Sequence, residues 1–249
     1  MLNPDELSLL AETTLADPLD LLPPHPPVVP PPDPEPMLAL LVSNDPPQRM
    51  TAARFFCDFE DQRAIPLLIN LLADLCPLVR VSAAYALGRN HNSTTISPLI
   101  ESLQKDWNGY VRKGLVWALG NCGDRRALTP LLHALRTDIT AVRLWAASSL
   151  APIARLTYED VIVTLPPLIE ALRRDPMAAV RSNCAWSIGQ LCRELPSNVV
   201  YATAIDALLE ALVEDADFGV KEDAKSALLR LGDARGLQMI EDLALEGLI

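Results

Sequence analysis

Five cysteines are the residues of this chain that could bind a metal ion or an iron–sulfur cluster. They are Cys57, Cys76, Cys122, Cys184 and Cys192. No two of them form a Cys-x-x-Cys pair, whereas zinc and iron–sulfur ligands usually recur at such short spacings. We therefore expect small, buried, reduced cysteines, and their odd number fits a reducing cytoplasmic compartment.

No group of residues in the sequence indicates an enzyme active site. The histidines are His25, His91 and His133, and none of them is followed by Glu. A Cys–His nucleophile would have no residue to orient it, and no glycine-rich phosphate loop is present. The sequence predicts no catalytic residue and no metal site, and it favours a non-enzymatic role without settling it.

A basic residue recurs at regular intervals along the chain. It could bind either an anion or a neighbouring carboxylate. It occurs at Arg49, Arg80, Arg112, Arg143, Arg181 and Lys221, at spacings of 31, 32, 31, 38 and 40 residues. An Asp stands five or six residues before each of the last five. This regular pairing favours a structural ladder that ties each turn to its neighbour over an anion-binding stripe. The predicted ladder is Arg80, Arg112, Arg143, Arg181 and Lys221.

The segments around these basic residues are copies of one unit of two helices. Residues 66–88 and 98–120 align Pro-Leu-Leu/Ile, Asp, Val-Arg and Ala-Leu-Gly at a shift of 32. Further copies span 130–151, 167–189 and 207–229, a degenerate copy spans 45–57, and a capping helix is predicted in 236–249. Pro near a helix start and Gly or Asn after a helix end are typical boundaries. One pair cannot bury its own apolar face, so stacked pairs must share a core.

This signature resembles the HEAT-repeat family, and more narrowly the HEAT-like repeats of phycobilisome lyase-type proteins. The resemblance covers residues 37–249 and implies an all-α fold, a right-handed α-solenoid of about six helix pairs with a C-terminal capping helix. It also implies protein partners, with photosynthetic-complex or phycobiliprotein subunits as candidates. HEAT-repeat di-iron hydroxylases would need several His-Glu pairs, which this sequence lacks. The signature is specific for the fold and says little about function.

Helical periodicity divides the second helix of each repeat into a core face and a solvent face. Counted from the ladder residue, positions −1, +3, +6, +7 and +10 predict the core, and positions +2, +5 and +9 are predicted to face solvent. Three of the four tryptophans stand at these solvent positions, and the resemblance implies that this face is concave. Aromatic residues are enriched where partners bind, so we expect a protein-binding groove, with filling between curved repeats as the alternative. The predicted binding residues are Tyr85, Trp117, Trp145, Trp186, Asn121, Asn183, Gln190 and Arg89.

The N-terminal segment differs from the repeats in composition. Residues 1–48 contain eight acids and no Lys or Arg, in a chain of net charge −11, and nine of the 22 prolines lie in 21–36. We predict an acidic arm over 1–36, with a short helix over 4–15 and a polyproline segment over 21–36, in front of a solenoid over 37–249. The arm either lies along the aromatic face of its own chain or binds a partner in trans.

Composition excludes several functional classes. The acidic arm and the nearly neutral repeats lack the basic footprint of a nucleic-acid-binding protein. No apolar run is long enough to span a bilayer, and the N-terminus lacks the basic residues of a signal or transit peptide, so we expect a cytoplasmic protein that is not integral to a membrane. The prediction is a protein-binding scaffold for assembly or maintenance of photosynthetic or cofactor-containing proteins, with no cofactor of its own. The alternatives are a bilin lyase-like chromophore chaperone, which would bind a bilin, and an iron–sulfur cluster assembly partner.

Overall fold

The computed structural model describes residues 32–90, 92–155, 157–193 and 195–247. Within these ranges the regular structure is helical throughout. The helices are α1 (Glu35–Leu40), α2 (Pro46–Asp58), α3 (Ala64–Leu71), α4 (Pro77–Arg89), α5 (Ile96–Lys105), α6 (Gly109–Cys122), a 3-10 turn (Arg125–Ala127), α7 (Leu128–Thr137), α8 (Thr140–Ala154), α9 (Tyr158–Arg174), α10 (Ala178–Cys192), α11 (Val199–Glu214), α12 (Phe218–Leu231) and α13 (Ala234–Leu245). They form six pairs and a final helix, which confirms the predicted all-α repeat solenoid.

The predicted N-terminal arm falls almost entirely outside the described residues. The helix expected over 4–15 and the polyproline segment as far as residue 31 lie there. Residues 35 and 36, the last two of the predicted arm, belong to α1. The described residues from Pro34 onward form one compact unit.

Local capping sets the boundaries of the second helices. The side chain of Asn108 accepts hydrogen bonds from the backbone N–H groups of Tyr110 and Val111 at the start of α6, which satisfies donors that have no partner within the helix. After the helix, Gly123 adopts a left-handed conformation with φ of 63°, a conformation that favours glycine. The unequal spacing of the ladder residues has a simple cause: α9 and α11 have 17 and 16 residues, whereas α3, α5 and α7 have 8 to 10.

The six second helices stack on one another in chain order, and the first helices pack along one side of that stack. The core lies between the two rows. Every residue at the predicted core positions −1, +3 and +7 of repeats 2 to 6 is buried, as Val111, Leu115 and Leu119 show for α6. The core prediction is therefore confirmed at these positions.

Glycine allows the second helices to approach each other closely. A Cβ atom added to Gly120 would lie 2.4 Å from Oγ of Ser149, and one added to Gly88 would lie 2.7 Å from Cα of Ala118. Such distances are far below van der Waals contact, so the Gly of the Ala-Leu-Gly signature is required by packing. Hydrogen bonds reinforce the contact, since Oγ of Ser187 in α10 donates to the Ala147 carbonyl of α8 at 2.8 Å.

In the described part of the chain, none of the helices combines the length and the apolar character that crossing a membrane requires.

Candidate protein-binding surface

The turns that join the first and second helices contain a ladder of arginine–aspartate pairs, and we call this side of the solenoid the turn edge. Each ladder arginine binds the aspartate of the following repeat through Nε and Nη2, at 2.6 to 3.0 Å. The pairs are Arg49–Asp74, Arg80–Asp106, Arg112–Asp138, Arg143–Asp175 and Arg181–Asp215. The ladder therefore joins each repeat to the next.

The aspartate that precedes a ladder arginine in sequence binds it through the backbone and not through the carboxylate. The carbonyl oxygen of Asp106 accepts from Nη1 of Arg112 at 3.0 Å, while the Asp106 carboxylate binds Arg80 of the preceding repeat. Lys221 differs from the other predicted members, because its Nζ donates to the Val213 carbonyl at 2.8 Å. The ladder thus runs from Arg49 to Asp215.

Burial and hydrogen bonding hold these charges in place. The side chains of Arg80 and Asp106 are only 8% and 6% exposed. The hydrogen bond from Arg181 lowers the pKa of Asp215, against the opposing effect of burial. All three nitrogen atoms of each ladder guanidinium bind protein oxygens, so the ladder has little left to offer an external anion.

The predicted binding residues lie along the outward side of the second helices, which we call the second-helix face, but they differ in exposure. Trp186 is 39% exposed, whereas Tyr85, Trp117 and Trp145 are half-buried. The rings of Tyr85 and Trp117 meet edge to face, with centroids 4.9 Å apart, and Trp145 lies 5.7 Å from Nζ of Lys113. The aromatic row is therefore partly a packing element between repeats and partly open surface.

The amide and basic residues of the predicted set also separate into two groups. Arg89 and Asn121 are exposed, and Gln190 is half-buried. Asn183 has a structural role, because its Nδ2 donates to the Leu144 carbonyl at 2.9 Å and so links α10 to α8.

Position +2 is predicted to face solvent, but it is buried in repeats 2 and 3. Ser82 is 4% exposed and Gly114 is buried, with Ala84 and Tyr85 of the preceding second helix 3.8 Å from its Cβ position. The second helices stand side by side, so this position of one helix faces the preceding helix.

Trp186 is the most exposed of the predicted aromatic residues on the second-helix face. It lines a shallow crevice between α10 and α12 together with Gln190, Arg193, Asp223 and Arg230. Two arginines, one aspartate, an amide and an aromatic ring therefore converge at one place, where the donors and the ring could contact a ligand that combines apolar surface with hydrogen-bond acceptors.

The family model for HEAT repeats matches residues 34–117, 96–165 and 165–247. The chain belongs to the HEAT-repeat family. Among solved structures, this HEAT solenoid is similar to a designed armadillo repeat protein in complex with the peptide (KR)4, with a TM-score of 0.60, 22% identity, and 80% of this chain and 98% of that chain covered.

Two solved structures of natural proteins share the fold of this HEAT solenoid. For the complex of CpcE and CpcF of phycocyanin lyase from Nostoc sp. PCC7120, the TM-score is 0.57 at 22% identity, covering 88% of this chain and 85% of that chain. For Kap121p the TM-score is 0.62 at 16% identity, covering 78% of this chain and 22% of that chain. At such identities the likeness concerns the fold alone.

Sequence reasoning missed a row of exposed apolar residues on the turn edge of the HEAT solenoid. Its members are Leu75, Leu78, Trp107, Tyr110, Ile139, Met177 and Phe218. The Trp107 ring is 77% exposed and lies 5.8 Å from the guanidinium carbon of Arg80. A cleft of about 780 Å³ opens between α5 and α7 near this row and contains His133. An apolar residue directly after a turn aspartate, as in Asp106-Trp107, is the signal that could have revealed the row.

The cysteines of the HEAT solenoid are free thiols in separate places. Cys184 and Cys192 are buried and the other three are half-buried. Burial raises the pKa of Cys57 to about 11 and that of Cys192 to about 12, which disfavours the thiolate that reacts or binds metal. In the described ranges, no three His, Cys, Asp or Glu residues are grouped so as to hold a metal ion; His25 and His91 lie outside those ranges.

Proposed function

We propose that this HEAT-repeat protein is a non-enzymatic scaffold that holds a segment of a partner protein on its second-helix face, without a cofactor of its own. The observation that carries the proposal is the environment of Trp186. Its ring stays 39% exposed beside Gln190 in a crevice between two repeats, although packing covers much of the other aromatic residues of that face. Exposed aromatic residues in such depressions are typical centres of protein interfaces.

The other predicted residues of the second-helix face have two roles, packing and polar contact. Tyr85, Trp117 and Trp145 pack between neighbouring helices and give a rigid surface on which each side chain is still partly exposed. Arg89 places a charged donor one helical turn after Tyr85, and Gln190 places an amide beside Trp186. A rigid aromatic surface with a few polar groups suits an extended or helical peptide, because little side-chain entropy is lost on binding.

The fold comparisons support a binding role in general terms. The designed armadillo repeat protein was solved with a peptide, and CpcE and CpcF form a complex with each other. We extend the proposal to a partner from a phycobiliprotein or another photosynthetic complex on the basis of the second likeness.

A bilin lyase-like role is the second candidate. Arg193 and Arg230 beside Trp186 would suit a ligand that has both carboxylates and a flat conjugated ring system. A visible absorption spectrum of the protein mixed with bilin separates the two candidates. A shifted, stoichiometric bilin band that Trp186→Ala abolishes would favour the chromophore role, and an unchanged spectrum would favour the scaffold.

Affinity capture with matched tryptophan variants tests the proposed function. Trp186→Ala removes the exposed ring of the second-helix face, whereas Trp107→Ala removes an even more exposed ring of the turn edge. We expect the first variant to lose the proteins that wild type captures and the second to retain them. Unchanged capture by Trp186→Ala, or loss with Trp107→Ala alone, would place binding elsewhere and contradict the proposal.

A further inference from the structure

The second-helix face exposes arginines that form no ion pair with the described residues, although the whole chain has a net charge of −11. Among the described residues, six of the 17 arginines form no ion pair. Five of these six lie on second helices or directly after them: Arg54, Arg89, Arg155, Arg193 and Arg230, all exposed. The sixth, Arg136, lies on the first helix α7.

The acids of the same face do not offset these arginines. Glu222 pairs with Lys225. Asp223 accepts a hydrogen bond from the neutral hydroxyl of Ser182 and keeps its negative charge. Among the described residues of these second helices, Asp58 at the end of α2 is the other acid without an ion pair. In the described part of this face, five unpaired arginines therefore outnumber the two unpaired acids, Asp58 and Asp223.

The arginines stand next to the aromatic residues in two clusters. Arg193 and Arg230 line the crevice that contains Trp186. Arg89 stands one helical turn after Tyr85 on α4, and Arg54 lies on α2, the helix that packs against α4. One basic and aromatic cluster thus lies in repeats 1 and 2, and the other in repeats 5 and 6.

We infer that the second-helix face takes an acidic segment of a partner protein, whose carboxylates bind these arginines while its apolar groups contact Trp186 and Tyr85. The inference rests on the proposed function and adds the chemistry of the partner. The planar guanidinium matches a carboxylate bidentately, and desolvation beside an aromatic ring strengthens such a pair. A basic peptide, such as the one bound by the designed armadillo protein, would meet five like charges here.

The geometry also constrains the spacing of the acids. Neighbouring helices are about 8–10 Å apart, and an extended chain advances about 3.3 Å per residue. An extended segment therefore passes one repeat every two to three residues, so acids at about that interval would reach successive arginines.

Fluorescence anisotropy with labelled peptides and the full chain tests the inference. The probes are an acidic octapeptide of alternating Asp and Glu and the basic peptide of four Lys-Arg pairs. We expect the acidic peptide to bind, with an affinity that falls as salt is raised, and to bind about tenfold more weakly to the double variant Arg193→Glu/Arg230→Glu. The matched control Arg136→Glu has the same change of charge on a first helix and should bind like wild type. Circular dichroism establishes that each variant is folded, and Arg193→Gln/Arg230→Gln, which lacks the introduced acids, should show an intermediate loss.

Four outcomes would overturn the inference. These are an equal loss with Arg136→Glu, tighter binding of the basic peptide, no loss with either double variant, or no binding of the acidic peptide. If the acidic peptide fails to bind while Trp186→Ala still loses the captured partner, the charge assignment is wrong and the proposed function stands. If a peptide of residues 1–20 of this chain binds through the same arginines more tightly than the octapeptide, the occupant is the chain's own acidic segment and the assignment to a partner is wrong.

Discussion

The turn edge and the second-helix face each have arginines in five of the six repeats, but only those of the turn edge form ion pairs with the described residues. On the turn edge, Arg80 is 8% exposed and bound bidentately by Asp106 of the next repeat. On the second-helix face, Arg193 is exposed and forms no ion pair with the described residues. The difference lies in the turn, which supplies an aspartate in each repeat. One set of arginines therefore stabilises the stack, and the other remains available to a ligand.

The paired arginines of the turn edge therefore contribute to stability, and we propose that the unpaired arginines of the second-helix face contribute to binding. Variants can test this difference. Removing one member of a buried pair leaves an uncompensated charge and is strongly destabilising. Removing an exposed, unpaired charge changes stability little. Turn-edge variants should therefore change unfolding, and variants of exposed second-helix residues should change binding.

The largest expected effect is that of Asp106→Ala. The substitution leaves Arg80 nearly buried without its carboxylate and removes the acceptor for the Asn108 N–H at 2.8 Å. We expect a loss of about 3 kcal/mol in the free energy of unfolding, measured by urea denaturation.

Two controls sharpen this prediction. Arg193→Ala should stay within about 0.5 kcal/mol of wild type. The double variant Arg80→Met/Asp106→Leu should lose less than Asp106→Ala, because it buries no unpaired charge. If Asp106→Ala and Arg193→Ala had equal effects, the distinction between the two arginine sets would fail.

Gly120→Ala should have the next largest effect. The added methyl would lie 2.6 Å from Cβ of Ser149 and 3.2 Å from its Cα, so α6 and α8 must move apart. Overpacking of this kind costs about 1–3 kcal/mol, which outweighs the gain of about 1 kcal/mol from helix propensity. In the same helix, Gly114→Ala meets only contacts at 3.8 Å and should leave thermal stability unchanged or raised. A destabilised Gly114→Ala and an unaffected Gly120→Ala would contradict this packing account.

Two tryptophans allow the same comparison within the second-helix face. Trp117→Ala removes the edge-to-face contact with Tyr85 and the contact with Gly88. We expect a loss of about 2 kcal/mol, roughly half the cost of truncating a fully buried aromatic residue. Trp186→Ala should cost less than about 1 kcal/mol and affect binding instead. Parallel urea denaturation checks both values, and equal losses would mean that Trp186 is a packing residue too.

The smallest expected effect is the contribution of one ladder carboxylate to acid stability. Hydrogen bonding by Arg181 lowers the pKa of Asp215 in the folded protein, whereas an unfolded Asp has a pKa near 3.9. The unfolded chain therefore takes up more protons as the pH falls. The stability contributed by Asp215 is complete above about pH 5 and is lost as the pH drops through the folded pKa.

Asp215→Asn isolates this contribution. The variant should show a smaller fall in its urea midpoint between neutral and acidic pH than wild type, because residue 215 no longer titrates. An identical fall in the two proteins would mean that the Arg181–Asp215 pair does not contribute to the acid dependence.

The repeat architecture could be predicted from the sequence because stacking imposes the same apolar positions on every repeat. Val111, Leu115 and Leu119 are buried where helical periodicity places them. Periodicity within one helix carries no information about what stands beside that helix. For this reason the burial of Ser82 and Gly114, and the use of Asn183 to link α8 and α10, could not be predicted.

The candidate surface was only partly predictable for a similar reason. Tyr85, Trp117 and Trp186 were found because they share one position of the repeat. The exposed Trp107 and Phe218 follow turn aspartates or begin helices, where no helical period applies. The unpaired arginines stand out only after the pairs of the other eleven are known, because pairing is a property of three-dimensional contacts.

Site-specific photo-crosslinking tests the central claim, that the second-helix face holds the partner, most directly. A benzophenone amino acid is introduced in place of Trp186 in one variant and in place of Trp107 in another, and both are expressed in a host that contains the native partners. We predict a discrete crosslinked protein from position 186 and none from position 107. Crosslinks from position 107 alone would contradict the claim and assign binding to the turn edge.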